Sequence, residues 1–121
     1  MKTYTASRSP QGLTVIVERT DGSTYPLPHV SFHSPTGFEC GYGGSRPADL
    51  AFSILADHCG ETGRATPRLI RERSNALRCW KYHQAFKWAF VAPAPREGFS
   101  ITSNVIAAWL KTQAQLAKEP A

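Results

Sequence analysis

Residues 39–51 read Glu-Cys-Gly-Tyr-Gly-Gly-Ser-Arg-Pro-Ala-Asp-Leu-Ala, and the chemistry this spacing suits is anion binding. Gly41, Gly43 and Gly44 permit a tight turn, because glycine enters left-handed backbone without a Cβ penalty. Ser45 suits an N-cap and Pro47 a first helical turn. Leu50, Ala51, Ile54, Leu55 and His58 then recur at helical spacing, and Gly60 is placed to end the helix. A turn that opens into a helix points backbone N–H groups and the positive end of the helix dipole the same way, which favours phosphate. Arg46 adds a planar fork of donors. The expected ligand-binding residues are Tyr42, Gly43, Gly44, Ser45 and Arg46, with Lys87 as a further cation. No Lys-Ser/Thr pair follows the glycines, so this is not a P-loop, and the G-x-G-x-x-G spacing is not met. A bare strand-to-helix connector would carry the same glycines, and an Arg46–Asp49 surface pair would occupy the same arginine.

A second candidate chemistry lies in the charge distribution. Net charge is +5, and residues 64–87 carry Arg64, Arg68, Arg71, Arg73, Arg78, Lys81 and Lys87 against Glu72 alone. Such a local excess suits a polyanion, with Trp80 and Tyr82 as stacking surfaces; a solvated helix face is the plainer alternative. His29 and His33 lie among prolines 28 and 35, so they read as surface or hydrogen-bonding histidines, and no metal is expected. Asp49 reads as a first-turn carboxylate complementing the helix dipole. No catalytic residue, cofactor or enzymatic activity is expected. Cys40, Cys59 and Cys79 read as reduced thiols of a cytoplasmic chain, since Met1 leads into no apolar signal segment and no run is long enough to span a membrane.

Gly-Tyr-Gly-Gly-Ser-Arg-Pro-Ala-Asp-Leu-Ala at 41–51 resembles the G-Y-G-G-S-G-P-A-D-L-A signature of a small domain-of-unknown-function family carried by phages, plasmids and bacteria. Tyr82-His83-Gln84-Ala85-Phe86-Lys87-Trp88, Ile101-Thr102-Ser103 and Trp109-Leu110 extend the resemblance over most of 38–110. The family implies no established activity. Arg46 stands where the signature has glycine and Cys40 where it has an aromatic; a family site built on backbone alone would be altered or blocked by Arg46.

The elements that must position these residues follow from periodicity. Residues 2–8 and Leu13–Arg19 read as strands, the latter with Leu13, Val15 and Val17 on one face. Asp21-Gly22 is a hairpin turn, with Ser23–Leu27 pairing back. Phe38–Tyr42 reads as a strand feeding the glycine turn. Helices are expected at about 46–59 and 67–81, the second opened by Thr66 and Pro67. Gln84–Ala92 reads as an interior strand, with Phe86, Trp88, Phe90 and Ala92 on one face. Arg96-Glu97-Gly98 is a turn. Thr102 or Ser103 caps a last helix whose stripe is Val105, Ile106, Trp109, Leu110 and Gln113, and the tail from Ala117 frays. Phe86, Trp88, Leu50, Ile54, Val105 and Trp109 are expected to share one core.

The chain of 121 residues, 41% hydrophobic, suits a single domain over 1–121. The order implies an α+β fold: a small, mainly antiparallel sheet packed by two or three helices on one face. The expected function is non-enzymatic binding of a small phosphorylated ligand, a nucleotide or cyclic nucleotide-type signal. The mobile-element resemblance implies sequestration of a host immune signal. The alternatives are a nucleic-acid-binding accessory protein and an inhibitor of a host defence protein. The expected partners are thus a small anionic ligand or nucleic acid, with no membrane, and a homo-oligomer is compatible with either.

Overall fold

The computed structural model describes residues 1–73 and 76–118, without the side chains of Arg73 and Lys118. Strands β1 (Thr3–Ser9), β2 (Gly12–Glu18) and β3 (Thr24–Pro26) form a meander, and β4 (Gly98–Thr102) closes the sheet in the order β3-β2-β1-β4. Every pairing is antiparallel. Among the described residues there are four α-helices, one more than the upper expectation: α1 (Ser45–His58), α2 (Pro67–Arg73), α3 (Arg78–Phe86) and α4 (Ser103–Lys118). The α+β class holds.

The sheet alternates as a one-sided sheet must. Tyr4, Ala6, Val15, Val17 and Ile101 are buried and join residues of all four helices in one apolar cluster. Thr5, Ser7, Thr14, Glu18 and Ser100 face solvent. Asp21 holds the β2–β3 turn by accepting the Ser23 N–H at 2.9 Å.

Helix α1 is the centre. Every residue from Pro47 to Ala56 is buried, so it is enclosed on all sides rather than striped. Its polar positions are therefore committed to the surrounding chain. Ser53 accepts the Val30 N–H at 2.9 Å. Asp57, at its C-terminal end, accepts from Tyr4 and Tyr25 of the sheet and from Lys2 just before it. Gly60, at φ +68, turns the chain away after His58.

Several expectations are corrected. Gln84–Ala92 is not a strand: α3 continues into a π-helical turn over Lys87–Val91. Phe86, Trp88, Phe90 and Ala92 alternate, but His83, Phe86, Lys87, Phe90 and Val91 fit helical spacing over the same stretch, and so short an apolar run does not separate the two periods. Trp88 is consequently 61% exposed instead of core, and Val105 is 47% exposed. The helix expected over 67–81 is interrupted at Leu77, which is extended (φ −106, ψ 114) and caps α3. Phe38–Tyr42 makes only a bridge, Phe38 to Leu13. Residues 98–102 form β4, where only the entry to α4 was expected. Ser45 is the first residue of α1 and not its cap, a position Gly44 takes without a side-chain bond. The expected fraying tail lies, beyond Lys118, outside the described residues.

Candidate functional site

The glycine turn is seated on the π-helical segment. Gly41, at φ +89, donates its N–H to the Val91 carbonyl at 3.0 Å. A Cβ on Gly43 would lie 2.2 Å from Cη2 of Trp88, so the indole edge rests where only glycine fits. Tyr42 folds over Gly44, leaving its own ring half exposed. No side chain among the described residues caps α1. Among the described residues no acceptor meets the N–H groups of exposed Ser45 and Arg46, and Pro47 has none to offer.

Lys87 completes this corner. Its residue is only 6% exposed, with its ammonium 4.4 Å from the Trp88 ring centroid. No hydrogen bond or ion pair to Lys87 is formed among the described residues, and none of their buried polar side-chain atoms lacks a partner, so the stem is buried while the ammonium reaches the surface. Within the π-helical turn Lys87 is buried and its neighbour Trp88 is exposed.

Beneath lies a chain of imidazoles. His83 donates from Nδ1 to the Trp80 carbonyl at 2.7 Å, so its neutral Nε2 is an acceptor, and His33 Nε2 donates to it at 2.9 Å. Burial pushes His83 down to about 4, with His33 and Lys87 adding to the effect against the Trp80 carbonyl and Asp49. Asp49 is wholly buried and accepts the N–H groups of His33 at 2.7 Å and Ser34 at 2.9 Å, with His29 Nε2 donating at 3.1 Å. It therefore clamps the 29–34 loop and is not a first-turn dipole partner. It is also closed to Arg46, so the Arg46–Asp49 surface pair does not form.

The structure divides the expected site. Tyr42, Gly43, Gly44 and Ser45 stay together, and Trp88 joins Lys87 to them. Arg46 lines a separate groove of about 260 Å³ with Gln11, Leu13, Thr36, Phe38 and Glu39. Of the alternative basic set, Arg64, Arg71, Arg78 and Lys81 are exposed, and Arg68 pairs with Glu72 at 3.1 Å. The Arg73 side chain lies outside the described residues.

Sequence reasoning missed Trp88 as an exposed ring, the His33–His83 contact and Glu61. Buried Glu61 accepts the N–H groups of Arg78 and Cys79 and so caps α3 from a loop. Only the glycine beside an aromatic-rich segment could have pointed to Trp88. Burial raises the Cys59 and Cys79 thiols, which keeps them protonated. Among the described residues no group of three His, Cys, Asp or Glu is placed to hold a metal ion, and no helix is long and apolar enough to cross a membrane.

No curated protein and no solved structure gives a match to this chain. One family model covers residues 4–112, the sheet, all of the turn and most of α4. By that match the chain belongs to the family of unknown function DUF6166.

Proposed function

We propose that this protein is a non-enzymatic receptor for a small phosphorylated ligand, a nucleotide or cyclic nucleotide-type signal, held where the glycine turn opens into α1. The observation that carries the reading is Lys87: a lysine with a buried stem whose ammonium has no anionic partner among the described residues, braced on Trp88 beside uncapped N–H groups. Phosphate supplies the missing charge, and the exposed Trp88 ring offers a face on which a base stacks. Sequestration of a host immune signal is the biological role that the mobile-element signature favours.

Calorimetry of the whole chain against mono-, di- and cyclic nucleotides tests this, alongside mass spectrometry of ligand released on denaturation. Lys87→Met should weaken binding by roughly 10–150-fold, as expected for losing a charge-assisted contact of about 1.5–3 kcal/mol. Absence of binding across the panel, or unchanged affinity in the variant, overturns the reading. A nucleic-acid interface is the second reading, favoured by the exposure of Arg64, Arg71, Arg78 and Lys81 on the α2–α3 side.

A further inference from the structure

The two edges of the sheet are built differently. Edge strand β3 has three residues, contains Pro26 and is followed by Pro28, which blocks further pairing. Edge strand β4 reads Gly-Phe-Ser-Ile-Thr, without charge or proline. Soluble proteins normally blunt such an edge.

Its backbone groups can be assigned. Arg8 N–H donates to the Glu97 carbonyl at 3.0 Å and Ser103 N–H to the Lys2 carbonyl at 2.8 Å, at the two ends of the β1–β4 ladder. Bonded pairs alternate along an antiparallel ladder, so Phe99 and Ile101 turn their N–H and C=O toward β1. Gly98, Ser100 and Thr102 turn theirs outward. Of these outward groups, Gly98 N–H already donates to Pro95 at 3.1 Å. The Thr102 carbonyl, next before the first residue of α4, takes the first intrahelical bond. The Gly98 carbonyl, both Ser100 groups and the Thr102 N–H remain without partners among the described residues.

We infer that β4 pairs antiparallel with β4 of a second copy of this chain, about a two-fold axis at Ser100. In that register each Ser100 N–H meets the other copy's Ser100 carbonyl, and each Thr102 N–H meets the other's Gly98 carbonyl. The groups left over are those already satisfied at home. This self-matching singles out a second copy as the occupant. Side chains agree with it. Phe99 comes opposite Ile101 of the second copy, along an apolar groove of about 420 Å³ whose lining includes Phe90, Pro93 and Val105. The groove lining is free of charge although the chain carries +5, so the copies meet where their repulsion is least. Exposed Glu97 falls opposite Ser103, the start of the second copy's α4, whose first turn has no acidic residue of its own. A carboxylate there complements the helix dipole.

Sedimentation velocity over a concentration series tests the pairing. The wild type should show a monomer–dimer equilibrium, and amide exchange at Ser100 and Thr102 should slow as the dimer forms. Ser100→Pro removes an N–H that no strand of its own sheet uses, so the monomer should fold while dimer affinity falls at least tenfold. Should that variant fail to fold, Glu97→Lys serves, with the same direction expected. A wild type that stays monomeric at every concentration, or a dimer that both variants leave intact, overturns the proposal. So does a dimer whose Ser100 and Thr102 amides exchange freely, or protection that arises only when a foreign peptide is added.

Discussion

At the residue scale, adjacent glycines have different jobs. Neither Gly43 nor Gly44 has positive φ, so only space distinguishes them. A methyl on Gly43 meets three atoms of the Trp88 ring closer than 3.0 Å, whereas one on Gly44 meets a single atom of the Tyr42 ring that closely. Gly43→Ala should therefore cost about 1–3 kcal/mol by overpacking, and Gly44→Ala should stay within about 0.5 kcal/mol; urea titrations of both variants check the contrast. Arg46 is exposed and unpaired among the described residues, so Arg46→Ala should leave the melting temperature unchanged. Its effect on nucleotide affinity should be smaller than that of Lys87→Met, because its groove lies apart from Trp88. His83 supplies a pH dependence. Its folded value near 4 lies below the ordinary 6.5, so the folded protein binds fewer protons than the unfolded chain between those values. The stabilisation is then fully present above pH 6.5 and is lost as pH falls through about 4, by up to about 3 kcal/mol. Half-buried His58 is shifted the same way by burial, so His83→Gln should flatten this slope without abolishing it in melts between those pH values.

At the element scale, α1 is the clamp of the molecule. Asp49 satisfies buried N–H groups of a loop that has no secondary structure of its own. Asp49→Ala leaves those donors unpaired and should destabilise by about 3 kcal/mol or more, while Asp49→Asn, keeping one acceptor, should cost less; denaturant midpoints decide the order. Elements with strong local signals were legible in the sequence. Thr66 accepts the Leu69 N–H and Thr102 the Val105 N–H, each as a capping residue does. The meander followed from alternation and turn residues, and the start of α1 from the glycine turn. What failed was decided by tertiary contact. Phe86, Lys87, Phe90 and Val91 lie on one helical face, and packing on the core selects that face over the alternation of Phe86, Trp88, Phe90 and Ala92, with no local preference to mark the π turn. Val105 lies at the edge of its stripe, where the groove beside β4 leaves it open. The site was legible as a turn with free donors; Trp88 and the imidazole chain were not, because they depend on α3 crossing α1.

At the scale of the whole molecule, the two functional readings place charge differently, and salt separates them. The receptor reading concentrates recognition on Lys87, uncapped N–H groups and a stacking ring, where ionic screening acts on few charges. The nucleic-acid reading spreads it over Arg64, Arg71, Arg78 and Lys81, exposed on the loop after α1 and on α2 and α3, with Arg68 held back by Glu72. If all of these reached phosphates of a duplex, log K would fall against log salt with a slope near −0.9 per contact, about −4 in all. The expected outcome is a nucleotide affinity whose slope stays near −1, together with duplex binding that is detectable only at low salt. Joint replacement of Arg64, Arg71, Arg78 and Lys81 by Gln should then abolish the duplex binding and spare the nucleotide. A steep slope for the tightest ligand, removed by those four substitutions and insensitive to Lys87→Met, would move the site from the glycine turn to the basic face.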